Sequence, residues 1–254
     1  MNLLSLKLQQ LKHNLFEYFL MLRILYAFKR IVRRLIEYGE LDRKEKFFRQ
    51  AFSYCAQVGV DGDYFEFGVF KGRSFIQAYH THKMVNRKAN PLGVKSNIQR
   101  NFYAFDSFKG LPKPRANELN KFRQSQFSFS KNEFIQNLKR NKVDLGLVTV
   151  VSGFYKDSLN SNLRKKFKSS NLKIAIIYLD CDIYSSTLEA LNFCDEFFQE
   201  GTVICFDDYF SLRSSKNNGQ IKALRDFKSI NKKWRFVEWG PQDQYYKSFI
   251  LQRN

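Results

Sequence analysis

Acidic residues stand where four apolar runs stop. They are Glu66 in DYFEFG, Asp106 in NFYAFD, Asp180 in KIAIIYLD and the pair Asp207–Asp208 in GTVICFDD. A charge held beside a protein core costs on the order of several kcal/mol unless it is put to use. Strand ends favour Asn, Asp and Gly in any case, so one such acid means little. Four such ends, one of them doubled, are hard to explain as turns. The acids divide into two groups. Glu66 and Asp106, on the first two runs, could accept hydrogen bonds from a ribose, as a carboxylate after the second strand does in dinucleotide folds. Asp180, Asp207 and Asp208, on two runs expected to be neighbours, form a three-carboxylate cluster. Like charges that close repel, which raises their pKa values or calls for a cation. All-oxygen ligands suit Mg²⁺, and Mn²⁺ or Ca²⁺ also fit. Zinc is disfavoured because no His or Cys stands at ligand spacing. Asp182, in LDCDIY, is left with three roles: a general base, an acid behind the ligands, or a cap for the following helix.

Glycines flank the first acid. Glu66-x-Gly68-x-x-x-Gly72, with Ser74 at the start of the next helix, reads as a turn that cradles a nucleoside-bearing cofactor. Glycine lets a ligand approach where a Cβ would block it. The helix behind the turn offers free N–H groups and a dipole to an anionic group such as a carboxylate.

Alternating elements must position these residues. Strands are expected at Asp63–Val69, Asn101–Asp106, Gly146–Ser152, Lys173–Asp180, Gly201–Asp207, Trp234–Trp239 and Tyr245–Leu251. Helices are expected at Lys71–Asn86, Ser130–Arg140, Tyr155–Phe167, from a capping box Ser186–Glu189 to Phe198, and at Gly219–Ile230. Lys173–Asp180 is a continuous apolar run of the kind buried on both faces. Strands alternating with helices imply a three-layer α/β domain with a parallel sheet. The last two strands, joined by Gly240-Pro241, must be antiparallel neighbours. The acids then share the C-terminal edge of the sheet, where ligands bind in open α/β folds. The long polar segment Ser107–Ser130 is expected to be functional.

Residues 1–58 read as a helical extension, and 59–254 as the α/β domain. Leu4, Leu8, Leu11, Leu15, Tyr18, Leu22 and Leu25 repeat at heptad spacing. Lys12, Glu17, Arg23 and Lys29 interrupt the apolar run, so it is too short to span a bilayer, and no small-residue cleavage site follows it. A basic cluster, Lys29, Arg30, Arg33 and Arg34, comes next. Three readings stand: a helix packed on the domain or on a second copy, an interfacial membrane helix, or a lid. Self-association through the heptads is the leading expectation for a partner.

With 254 residues and 17% aromatics, including 27 Phe, burial is not in short supply. Cys55, Cys181, Cys194 and Cys205 show no paired spacing and read as reduced core residues, which suits the cytoplasm. His80 and His82, two apart on a helix, do not form a ligand set. The net charge of +19 permits an anionic partner. No single Lys/Arg block stands out, so specific nucleic-acid binding is not expected.

Five segments occur together in order: FEFGVFKG (65–72), FDSFKGLP (105–112), GFYKDSL (153–159), LDCDIYSST (179–187) and FDDY (206–209). From about Asp63 to the C-terminus the chain resembles the macrocin O-methyltransferase family of S-adenosylmethionine-dependent sugar methyltransferases. The resemblance implies a Rossmann-like class I methyltransferase fold, with a seven-stranded sheet whose last strand is antiparallel. It implies S-adenosylmethionine in the turn of Glu66, Gly68 and Gly72, with Asp106 on the ribose hydroxyls. Ser107 and the region Ser152, Gly153 and Phe154 would lie near the adenine. Asp180, Asp207 and Asp208 would hold Mg²⁺ or Mn²⁺, and Asp180 or Asp182 would take the proton of a sugar or glycan hydroxyl. Catechol methyltransferases carry a lysine base three residues after the first metal acid. Here that position is Ile183, so the base must be a carboxylate or water. Cys181 replaces a glycine common between the two aspartates.

Competing readings are a phenolic acceptor, a nucleic-acid methyltransferase, a nicotinamide-dependent oxidoreductase and a non-enzymatic binding protein. The oxidoreductase wants Gly-x-Gly-x-x-Gly, which this turn lacks. No Asn/Asp-Pro-Pro-aromatic tetrapeptide supports methylation of a base amine.

Overall fold

Ile174–Leu179 is buried at every residue, as an unbroken apolar run requires of a central parallel strand. The computed structural model of the chain describes residues 18, 21, 23, 25, 28, 43–89, 98–113, 123–211, 217–240 and 244–254. The chain divides into two units, Met1–Lys44 and Glu45–Asn254. In the first, the described positions 18, 21, 23, 25 and 28 are helical, with Tyr18, Met21, Leu25 and Phe28 exposed. Leu4, Leu8, Leu11, Leu15, Leu22 and the basic cluster at 29–34 lie outside the described residues. No helix among those described is long and apolar enough to cross a membrane.

The second unit begins with helix α1, residues 45–58. Then follow β1 (Asp63–Phe67), α2 (Arg73–Ala89), β2 (Phe102–Asp106), α3 (Lys131–Arg140), β3 (Val148–Ser152), α4 (Tyr155–Ser158) and α5 (Ser161–Ser169). β4 (Ile174–Leu179), α6 (Tyr184–Cys194), β5 (Phe198–Phe206), α7 (Gly219–Ile230), β6 (Trp234–Glu238) and β7 (Lys247–Arg253) complete it. The sheet runs β3-β2-β1-β4-β5-β7-β6. β3, β2, β1, β4 and β5 pair in parallel, and β7 is antiparallel to both β5 and β6. This is the expected seven-stranded Rossmann-like sheet, with the C-terminal ends of β1, β2, β4 and β5 on one edge.

Alternation along the strands divides the core between the two faces. On one face Tyr64, Phe102, Tyr178 and Cys205 meet Phe47, Phe48 and Phe52 of α1, Phe75 of α2 and Phe134 of α3. On the other, Phe65, Phe67, Phe105, Ile177 and Phe206 meet Phe167 of α5, Leu191 and Phe193 of α6 and Phe227 of α7. α1, grouped with the N-terminal extension on sequence grounds, therefore belongs to the core. Its Phe47, Phe48 and Cys55 are fully buried. All four cysteines are buried and free.

Local chemistry moves three boundaries. The sequence carries S-x-x-E twice, and the serine half of a capping box, the side-chain N-cap, forms at the first. Ser130 Oγ accepts from Glu133 N at 3.2 Å and donates to the Glu133 carboxylate at 2.8 Å. The expected box at Ser186–Glu189 is not formed. α6 already starts at Tyr184 behind Ile183, which puts the buried Ser186 inside the helix. The expected helix Tyr155–Phe167 is two helices, because Asn160 turns extended and its side chain caps Leu163 N at 3.1 Å. α6 ends at Cys194, and a 3₁₀ turn, Asp195–Phe197, leads directly into a β5 longer than expected.

Arg100 is buried and donates to the carbonyls of Val60, at 2.7 Å, and Gly62, which ties the approach to β1 to the approach to β2. Burial, and then the Arg100 charge, push the His82 imidazole down to about 3. Folded His82 thus stays neutral where the unfolded chain takes up a proton below about pH 6.5. Its contribution is present above that value and is lost as pH falls toward 3. Between pH 7 and pH 5 the loss is roughly 2 kcal/mol from this residue. In urea titrations at the two pH values, His82→Leu should lose correspondingly less stability than the parent. Equal losses would mean that His82 charges within the fold.

Candidate active site

The C-terminal edge of the sheet gathers the acids because four strands end together. Asp106 is the last residue of β2, while Asp180 and Asp207 follow β4 and β5 directly. Backbone bonds fix the spacing: Gly68 N donates to Phe105 O at 2.9 Å, Asp180 N to Phe67 O at 2.8 Å and Asp207 N to Leu179 O at 3.0 Å.

The glycine turn fits closely against this edge. Gly68 has φ +87°, and a Cβ there would fall 1.9 Å from the Asp180 carbonyl oxygen. Gly72 has φ +82°, and its Cβ would meet the Phe134 ring at 2.8 Å. Between them Phe70 also takes a left-handed conformation, φ 43°. Both glycines are therefore demanded by the protein's own packing.

Glu66 lies beneath the turn, fully buried. Its carboxylate accepts from the Tyr64 hydroxyl at 2.5 Å and from Ser74 Oγ at 2.6 Å. Ser74 thus joins α2 to β1 through Glu66. Asp106 faces the turn from the side. Its Oδ2 accepts from Val69 N at 2.9 Å and Phe70 N at 3.0 Å, and its Oδ1 from Phe108 N at 2.7 Å. Burial raises its pKa, against the pull of these N–H groups. Ser107 donates to Gly110 O at 2.6 Å and accepts from Lys109 N at 3.0 Å, which shapes the start of the 107–130 segment. Ser152 pairs in register with Asp106, and Gly153 N donates to Asp106 O at 3.0 Å. Phe154 caps α4. Asp106, Ser107, Ser152, Gly153 and Phe154 are thereby brought together. Residues 114–122 of the long polar segment lie outside the described residues.

Asp180, Asp207 and Asp208 each offer one oxygen within 4.8 Å of the others, all three side chains half-buried. The donor set is hard and anionic, which fits Mg²⁺ or Mn²⁺. Asp182 adjoins it. Ile183 N donates to Cys181 O at 2.6 Å, so Asp182 sits at the centre of a three-residue turn at φ 58°, a strained conformation for a non-glycine. Burial, and then the charges of Asp208 and Asp180, raise its pKa well above the carboxylate range, and it shares a hydrogen bond with Asp208. Asp182 does not cap α6, which has no side-chain cap.

Two residues that the motifs did not mark hold the acids. Tyr178, on β4, donates its hydroxyl to Asp207 Oδ1. Gln220, 1% exposed at the start of α7, accepts from Asp208 N at 3.0 Å and donates to Leu179 O at 3.0 Å. The available signal for Tyr178 was a hydroxyl within an otherwise aliphatic strand. Gln220 carries no local signal.

An open seven-stranded sheet with one antiparallel strand, a glycine turn after β1 and acids on the C-terminal edge defines a methyltransferase of the Rossmann-like class. A family model described as Macrocin-O-methyltransferase (TylF) matches residues 41–240. The chain belongs to this family and is an O-methyltransferase. Solved structures share the fold. The O-methyltransferase NovP aligns with a TM-score of 0.64 at 19% identity, over 84% of this chain and 80% of its own. CalS11, a calicheamicin methyltransferase, aligns with a TM-score of 0.63 at 17% identity, over 84% of this chain and 78% of its own. A comparison with curated protein sequences finds no match.

The contact at Gly68 gives a test. Gly59 has φ +76° with nothing within 4 Å of a built Cβ, so Gly59→Ala carries backbone strain alone. It should cost about 1 kcal/mol in urea denaturation, and Gly68→Ala should cost at least about 3 kcal/mol. Equal costs would mean that the turn can move away from Asp180.

Proposed function

We propose that the chain transfers a methyl group from S-adenosylmethionine to a hydroxyl of a sugar or glycosylated acceptor, in a Mg²⁺-dependent reaction. The observation that carries the reading is the oxygen cluster of Asp180, Asp207 and Asp208 at the end of β4 and β5, within 4.8 Å. Membership of the macrocin-O-methyltransferase family supports both the reaction and the acceptor class. The fold neighbour CalS11 is described as a TDP-rhamnose 3′-O-methyltransferase; it has a TM-score of 0.55 at 17% identity, and its acceptor is consistent with the reading.

The two bound groups would supply an electrophilic methyl and a charge that lowers the pKa of the acceptor hydroxyl. The protein's part is position and proton transfer. Gly68 and Gly72 bend the chain so that α2 begins at the cofactor. Glu66 supports that turn from below through Ser74. Asp106, Ser107 and Ser152–Phe154 line the side where a nucleoside would lie. Asp180, Asp207 and Asp208 hold the cation. Asp180 or Asp182 accepts the hydroxyl proton. Burial and the neighbouring charges of Asp208 and Asp180 raise the pKa of Asp182, so its carboxylate is more basic than an ordinary aspartate's.

The decisive experiment is calorimetric titration of S-adenosylhomocysteine and, separately, of Mg²⁺. S-adenosylhomocysteine should bind at micromolar Kd, and binding should persist in chelator. Asp207→Asn should abolish methyl transfer to sugar acceptors and weaken Mg²⁺ binding at least about 10-fold, with cofactor affinity within about threefold of the parent. Equal loss of both would sink the separation of roles. A parent that binds no S-adenosylhomocysteine would sink the methyltransferase assignment of the turn.

A further inference from the structure

Tyr178 is the exception in the strand IAIIYL. It is 1% exposed, and its hydroxyl is carried into a core otherwise rich in phenylalanine. A buried tyrosine hydroxyl needs a partner, and phenylalanine would fill the same space without that demand. The partner is Asp207 Oδ1. The contact crosses strands, from Tyr178 of β4, which pairs in register with Glu66 of β1, to the residue just past β5. The ring cannot swing away. Phe48 of α1 lies 5.1 Å from it, centroid to centroid, and Phe47 of α1 lies 5.7 Å from it.

We propose that Tyr178 is a positioning residue for the cation site: its hydroxyl, held by the α1 aromatic wall, fixes the orientation of the Asp207 carboxylate. The inference rests on the cation site proposed above. A carboxylate that accepts a hydrogen bond on one oxygen can still ligate through the other, and its rotation about Cβ–Cγ is then restricted. Gln220 accepts from the Asp208 backbone N–H, and the Tyr178 hydroxyl reaches the Asp207 carboxylate itself. The packing of α1 is thereby mechanically joined to the ligand geometry, although α1 carries none of the acids.

The test is Tyr178→Phe, which removes one oxygen and keeps the ring. Mg²⁺ affinity, read by calorimetry on the cofactor-free protein, should fall about 10- to 100-fold. S-adenosylhomocysteine affinity should stay within about twofold, and in turnover the loss should be recovered by raising Mg²⁺. A purely structural tyrosine would lower thermal stability and leave Mg²⁺ affinity within about twofold of the parent; that result overturns the proposal. Should Tyr178→Phe fail to fold, the intact chain with 3-fluorotyrosine placed at position 178 answers the question. Its ¹⁹F resonance should move with Mg²⁺ and saturate at the calorimetric Kd, and a resonance that stays fixed overturns the proposal. A parent that binds no Mg²⁺ overturns the cation reading itself, and this inference with it. That outcome is told apart from failure of Tyr178 alone because it is measured on the parent.

Discussion

Three aspartates with oxygens inside 4.8 Å repel one another, by roughly 3 kcal/mol per ionised pair at an effective dielectric near 20. Every feature around the sheet edge bears on that repulsion. The aspartates cannot relax apart easily, because their backbones are bonded to neighbouring strands at Phe67 and Leu179. Their side chains meet donors: the Tyr178 hydroxyl reaches Asp207, and a shared hydrogen bond links Asp182 to Asp208. The raised pKa of Asp182 follows from burial and from the same repulsion. A cation would reduce the repulsion, and binding to the folded state alone would stabilise it by mass action.

Holding such an edge requires a rigid base. β4 is buried throughout, and β1 and β5 flank it in parallel. Aromatic rings fill both faces. Phe67 and Phe105 stack at 4.3 Å on one, and Phe48, Tyr64 and Tyr178 interlock on the other. Much of the backbone strain collects at the rim of this base. Phe70, Phe108 and Asp182 are all left-handed at or beside the C-terminal edge. Strain of this kind costs about 1–3 kcal/mol per residue and persists only where the surroundings over-determine it. The buried strands and their glycine contacts supply that constraint.

The sequence made the strands and the acids legible for the same reason. Apolar runs such as KIAIIYLD and GTVICFD mark buried strands, and an acid terminating each run marks the shared edge. Alternation with helices implies the parallel sheet, and the short turn at Gly240-Pro241 implies the closing antiparallel pair; the strand order comes from the structure. Side-chain partners were not legible, because they depend on register between segments far apart in the chain. The sequence suggests Glu66 as a ribose acceptor, whereas the structure buries it beneath the turn, where it accepts from Tyr64 and Ser74. Asp106 accepts three backbone N–H bonds, two of them from a turn more than thirty residues away in sequence. The S-x-x-E pattern at Ser186 does not form a box because α6 already starts at Tyr184, which leaves Ser186 inside the helix. The helical pattern of α1 was correctly read as helix, but no local signal could tell that its phenylalanines close the core over Tyr178.

The site has two halves with separate anchors. The glycine turn is tied to β2 by Asp106, and the aspartate cluster is tied to β4 and α7 by Tyr178 and Gln220. They meet where Gly68 lies against the Asp180 carbonyl so closely that not even a methyl group would fit. Gly68 also donates to β2, while Asp180 donates back to β1. A shift of the turn would therefore be transmitted to the first acid of the cluster without any intervening side chain. Methyl transfer needs the two reactants held in a fixed relation, since most of what a protein can add to a displacement is position. On the proposed function, the backbone contact between Gly68 and Asp180 would meet that need directly. On the same reading, that contact would set the distance between a cofactor in the turn and a cation at the aspartates through the spacing of adjacent strands.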